Sequence, residues 1–154
     1  MLSILPKTIL ITLDVGEMRR RAFRLGARLA QINDAKLLLL TVIHDTFPYP
    51  DIFSFHAPNQ DYYHTIRDMA REILKKTAAE APPEVVIDVM ISRGSPAKVI
   101  VDVAEEEHAD LIIMTTHNTK GLEHAILGSV TDKVLRTATC PVLVIPMRGR
   151  PRSA

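Results

Sequence analysis

The sequence predicts an α/β domain built on a parallel sheet with helices on both faces. Two observations carry this. Short, nearly continuous apolar runs recur along the chain and longer amphipathic stretches separate them. Strands buried on both faces read as unbroken apolar segments, whereas a half-solvated sheet alternates. The runs are also spaced by helix-length segments rather than by hairpin turns, which is the signature of crossover-linked parallel strands.

Each element follows in order. Lys7 to Leu13 is an apolar first strand, and Glu17 to Asn33 sets Phe23, Leu25, Leu29 and Ile32 at helical spacing among arginines. Lys36 to Ile43 is a second buried strand, Asp61 to Ala79 a helix, and Val85 to Ser92 a third strand with β-branched weight. Pro96 to His108 is a helix whose proline sits near the first turn, where a missing N–H costs little. Leu111 to Thr115, a helix opened by Gly128 and Ser129, and Val142 to Ile145 complete five strands.

One segment breaks this rhythm. Residues 45 to 58 are proline-rich and long for a connection. With Tyr62 and Tyr63 they hold six of the seven aromatics, at Phe47, Tyr49, Phe53 and Phe55 besides those two. The core is therefore aliphatic. A loop leaving the carboxyl edge of a strand serves as a lid or a partner-facing patch, or else folds back on its own aromatics to cover the sheet edge.

A chain of 154 residues has material for one core and not comfortably for two. Residues 1–147 are read as a single domain, and 148–154 as a flexible basic tail carrying Arg148, Arg150 and Arg152. Nineteen Lys and Arg stand against eighteen acidic residues, without the broad basic bias that duplex binding demands, so no nucleic-acid partner is expected. The single cysteine, Cys140, excludes an internal disulfide framework and a cysteine-rich zinc site, and reads as a small buried hydrophobe. No segment reaches a membrane span and no cleavable leader is visible, so the expectation is a soluble cytoplasmic protein with no membrane partner. Six histidines form no close ligand pair with carboxylates on one helix face, and no metal site is assigned.

The chemistry gathers where strands end. From Asp110 to Pro146 the chain reads as buried strand, polar loop, helix opened by Gly-Ser, and buried strand, which places a crevice at the carboxyl edge of the sheet. The N–H groups of a helix start and a Ser hydroxyl suit an anion there. Asp14 ends the first strand and is either a ligand-facing carboxylate or a solvated helix cap. Ser129, with Asp132 three residues on, also fits a capping arrangement, and the two roles are compatible.

Four blocks in this order resemble the universal stress protein family: Ile9-Leu-Ile-Thr-Leu-Asp14, Arg93-Gly-Ser-Pro-Ala97, His108-Ala-Asp-Leu-Ile-Ile-Met114, and Gly128 through Val144. The resemblance covers nearly the whole chain outside the aromatic loop and the tail. It implies a Rossmann-like sheet of the adenine nucleotide alpha hydrolase-like kind, in the order 3-2-1-4-5. It also implies a homodimer paired along Val142, Leu143, Val144 and Ile145, and an unpaired apolar edge strand invites a second chain on physical grounds as well.

By the same resemblance, an adenine nucleotide such as ATP, with Mg as its companion, would meet Thr12, Leu13, Asp14, Val42, Met114, Thr115, Asn118, Gly128, Ser129, Val130 and Thr131, with Asp14 and Val42 at the ribose and adenine and Gly128 to Thr131 at the phosphates. The family's phosphate loop reads Gly-x-x-Gly-x9-Gly-Ser/Thr. Here its first two glycines are replaced by Thr115 and Asn118, and Gly121 is out of register. Asn tolerates left-handed backbone, so Asn118 keeps the turn; Thr115 resists positive φ and adds bulk. Lys120 and His117 offer charge in partial exchange.

Three function classes follow. The first is a dimeric stress-response module that binds an adenine nucleotide through an altered phosphate loop. The second is an interaction module using the aromatic loop and the dimer face, with a protein partner and no small ligand. The third, an enzyme on a related nucleotide fold, lacks a Gly-rich Ser loop, a P-loop lysine and a nucleophile with its base. No catalytic residue is assigned, and weak ATP hydrolysis is the most this pattern allows.

Overall fold

A computed structural model of the chain describes residues 5–14, 19–44, 60–116 and 127–146, with backbone alone at 19 and 60–62. The aromatic segment 45–58, the loop positions His117, Asn118, Lys120 and Gly121, and the tail 148–154 lie outside the described residues.

Among the described residues nine elements alternate: β1 (Thr8–Thr12), α1 (Arg19–Asn33), β2 (Lys36–His44), α2 (Gln60–Ala78), β3 (Ile87–Gly94), α3 (Pro96–Glu106), β4 (Leu111–Thr115), α4 (Ser129–Thr137) and β5 (Val142–Ile145). The strands form one sheet in the order β3-β2-β1-β4-β5, and every pairing is parallel. The chain walks outward from β1 to β3, returns to the other side of β1, and walks outward again. Because crossovers share one hand, this reversal sends the helices to opposite faces.

Two cores result. On one face Ile9, Ile11, Leu37 and Leu39 meet Ala22, Phe23, Ala27 and Ala30 of α1 and Leu74 of α2. On the other, Leu10, Leu38, Leu40 and Ile112 meet Ala97, Ile100 and Val103 of α3 and Val134 of α4. Consecutive strand residues thus serve alternate layers, which is why the strands are apolar throughout.

Helix α1 seats differently from the expected pattern. Its inward row is small, and a Cβ on Gly26 would meet the tip of the Ile11 side chain, so helix and sheet lie close here and a larger residue would require Ile11 to shift. Phe23 is the one large side chain buried in that seam. Leu25 and Ile32, which the spacing sets on the same apolar surface, stay 39% and 65% exposed.

Helix ends correct other boundaries. After α1 and α3, Asp34 (φ 50°) and His108 (φ 53°) turn left-handed. Behind them Ala35 N–H donates to Ala30 O at 2.9 Å, and Ala109 N–H to Ala104 O at 2.8 Å. These are Schellman-type stops, and the second ends α3 at Glu106, ahead of His108. Strand β3 starts at Ile87 rather than Val85, because Val85 N–H turns back to Pro82 O at 3.0 Å. It continues to Gly94, paired with His44, and there a φ of 144° suits glycine.

Candidate functional site

The reversal of strand order lies between β1 and β4, and open α/β sheets bind ligands in the crevice outside such a point. A cavity of about 660 Å³ opens there, within the range of small-molecule sites. Its wall combines the carboxyl ends of β1, β2 and β4, one side of α2, Pro96 and Ile100 of α3, and the start of α4.

The β1 end is fixed by hydrogen bonds. Leu13 N–H donates to Leu40 O at 2.9 Å, and the buried Thr41 hydroxyl donates to Leu13 O at 2.8 Å. Both polar groups of the Leu13 backbone are therefore held by β2, and the next residue, Asp14, is delivered to the cavity wall. Thr41 is a residue the sequence reading passed over. A lone hydroxyl amid the apolar β2 run was the available signal.

The opposite wall is the beginning of α4. Gly128 is the N-cap, so Ser129 is the first helical residue and not a cap. The capping-box reading fails for a second reason: the Asp132 carboxylate accepts from Arg136 Nε at 3.0 Å, on the side of the next turn. The first bond within the helix runs from Asp132 N–H to Gly128 O at 3.0 Å. The amides of Ser129, Val130 and Thr131 precede it and belong to the donors that a helix start leaves unbonded within itself. All three residues, with Gly128, line the cavity.

Thr115 also departs from expectation. It closes β4 in register with Ile145, and Asp34 and His108 are the non-glycine residues with positive φ among those described. Its β-branch therefore costs nothing in backbone strain. What it brings is bulk and a hydroxyl at the cavity wall.

Of the residues that the sequence assigned to a ligand, all that are described lie on this one cavity: Thr12, Leu13, Asp14, Val42, Met114, Thr115, Gly128, Ser129, Val130 and Thr131. The apolar contribution of α2 through Ile66, Met69, Ala70 and Ile73 was not anticipated. It follows from an element that the sequence showed only as an ordinary amphipathic helix. No lysine or arginine stands among the described residues of the wall.

Outside the cavity, Cys140 packs half-buried against the second core. Burial, and then the Asp110 carboxylate, push its thiol pKa up, away from a reactive thiolate. Among the described residues no group of three or more His, Cys, Asp or Glu side chains is placed to hold a metal ion, and no helix is long and apolar enough to cross a membrane.

The family model described as "Universal stress protein family" matches residues 6–146. The chain belongs to the universal stress protein family. A universal stress protein of Methanocaldococcus jannaschii is 33% identical over 146 residues, 92% of this chain and 82% of that one. Among solved structures, a hypothetical protein studied for structure-based assignment of its biochemical function superposes with a TM-score of 0.78 at 26% identity, over 96% of this chain and all of that one. Two more distant family structures share the fold. One, in complex with cAMP, gives a TM-score of 0.65 at 22% identity over 92% of this chain and 98% of that chain. The other, from Archaeoglobus fulgidus in complex with dAMP, gives 0.63 at 16% over 92% and 99%.

Proposed function

We propose that this universal stress protein is a cytoplasmic regulatory module whose cavity takes an adenine nucleotide carrying few phosphates. The observation that carries the reading is the composition of the cavity wall. Apolar side chains of β2, α2 and α3 make most of it, Asp14 stands at one side, and the α4 start stands at the other. An adenine ring suits the apolar part, and the Asp14 carboxylate suits ribose hydroxyls. Three main-chain amides and the Ser129 and Thr131 hydroxyls suit one phosphate. A triphosphate brings further negative charge, and among the described wall residues no lysine or arginine meets it.

The cAMP and dAMP complexes of the distant relatives support this preference, since each ligand carries a single phosphate. Mg then enters only as the companion of a polyphosphate. The module works as a homodimer joined along Val142 to Ile145, the edge strand whose one partner within the described sheet is β4. Light scattering at twice the 17.2 kDa chain mass is the expected result.

Calorimetric titration with AMP, cAMP, ADP and Mg-ATP tests the ligand reading. Monophosphates are expected to bind at least as tightly as ATP, and Ser129→Ala to weaken AMP by about threefold to tenfold, the loss of one hydrogen bond. ATP binding tighter than AMP by an order of magnitude overturns the low-charge preference. Absence of saturable heat for all four at roughly millimolar ligand overturns the nucleotide reading itself. Joint Thr115→Gly and Asn118→Gly replacement should raise ATP affinity relative to AMP.

A further inference from the structure

Helix α1 carries an outward arginine row and, beside it, an apolar row that the core takes up only in part. Its sequence, RRRAFRLGARLAQIN, contains five arginines and no acid. Arg20, Arg24 and Arg28 recur at i, i+4 and i+8, and all three are exposed. The row is about 12 Å long at the helical rise. Beside it run Leu25, Leu29 and Ile32 at i, i+4 and i+7. Leu29 leans partly on the core, whereas Ile32 stands out in solvent and Leu25 keeps an exposed edge. Arg28 is one turn from both of those exposed side chains.

Each of the other helices pairs a cation with its own acid: Arg67 with Asp68 and Lys75 with Glu72 on α2, Lys98 with Asp102 on α3, Arg136 with Asp132 on α4. The described α1 arginines make no such pair. Arg28 donates to the neutral Gln31 amide oxygen at 2.9 Å, and Arg21 reaches only the Pro146 carbonyl at 3.5 Å. With five arginines gathered on this one helix, the rest of the chain is net acidic.

We infer that the outer face of α1 is a docking site for an acidic polypeptide segment that also presents leucine-type side chains, such as an acidic amphipathic helix. Charge complementarity selects the acids, and the Leu25–Ile32 row selects the apolar partner side chains. A bilayer is a poorer match, because two protruding aliphatic side chains on a helix already docked by its other face bury little acyl surface. A nucleic-acid strand satisfies the arginines and leaves the leucine row unused.

A fluorescein-labelled synthetic helix with a glutamate row at i, i+4, i+8 beside a leucine row at i, i+3, i+7 is the probe, read by anisotropy against the full chain. Saturable binding that weakens as salt rises is expected, with a loss of about tenfold in Arg24→Glu/Arg28→Glu and of about threefold to tenfold in Leu25→Ser/Ile32→Ser. The thermal midpoint of the arginine variant should match the parent, and that of Leu25→Ser/Ile32→Ser should fall by only a few degrees, because Leu25 at 39% exposure is partly covered while Ile32 at 65% is not. No saturable binding, or equal binding by the charge-reversed variant, overturns the proposal. So does polyglutamate binding as tightly as the probe, since the leucine row would then be idle. Binding to phosphatidylglycerol vesicles or an oligothymidylate, but not to the peptide, overturns the choice of partner.

Discussion

The two rims of the sheet are finished in opposite ways. At the amino rim the Asp110 carboxylate accepts from the amides of Lys7 and Thr8 at 2.8 and 2.9 Å, tying the start of β1 to the start of β4. The Lys7 ammonium donates to Asn33 O at 2.8 Å, and Lys36 pairs with Asp88. At the carboxyl rim Thr41 holds Leu13, and beyond it β1, β2 and β4 end around a cavity. The contrast teaches where this fold places its stability and where it leaves room for a ligand: closing one rim with side-chain bonds lets the other stay open.

The largest test is Asp110→Ala. Two charge-assisted bonds to amides are lost, and a cost of about 2 kcal/mol is expected in urea unfolding, with AMP affinity of the folded protein unchanged. A change in affinity would mean that the rims are not independent. Thr41→Val keeps the shape and removes the buried donor to Leu13 O. It should cost about 1 kcal/mol and, unlike the Asp110 variant, also weaken AMP several-fold, because Asp14 loses its support. His108→Gly works in the other direction. A left-handed residue without a Cβ relieves strain at the end of α3, and a gain of roughly 0.5–1 kcal/mol in stability should leave the cavity unaffected.

The smallest effect is on pH dependence. Cys140 lies just ahead of β5 at the amino rim, with its pKa raised first by burial. In the folded chain the thiol keeps its proton to higher pH than in the unfolded chain, so the unfolded state loses protons first. Stability should therefore be unaffected below the ordinary thiol range and fall as pH rises through it. Iodoacetamide should modify the folded chain more slowly than a small free thiol at the same pH. Asp110→Ala, by removing the nearby carboxylate, should narrow that gap.

How much of this was legible depends on what each residue advertises. The strands announced themselves because burial on both faces leaves no polar alternation to confuse the reading. The positions of β1, β2, β4 and α4 that the sequence assigned to a ligand meet at one cavity because a parallel sheet puts all its carboxyl ends on one rim. The inward row of α1 was harder: Ala22, Gly26, Ala27 and Ala30 give a faint apolar signal, and Leu25 and Ile32 a loud one on another side. Ser129 looked like a cap because Ser usually is one, yet the residue before it takes that place. Thr115 looked strained only as long as its end-of-strand pairing was unknown. The Thr41 bond to Leu13 depends on β1 and β2 lying side by side, which no local pattern encodes.

The seam at Gly26 reaches further than packing. With a glycine facing Ile11, α1 lies close against the sheet, and the side of the helix that carries Arg20, Arg24 and Arg28 is turned to solvent as soon as the domain has folded. A visitor to that flank would meet a backbone already set, so the ordering left to do on contact falls on the long side chains and on the visitor itself.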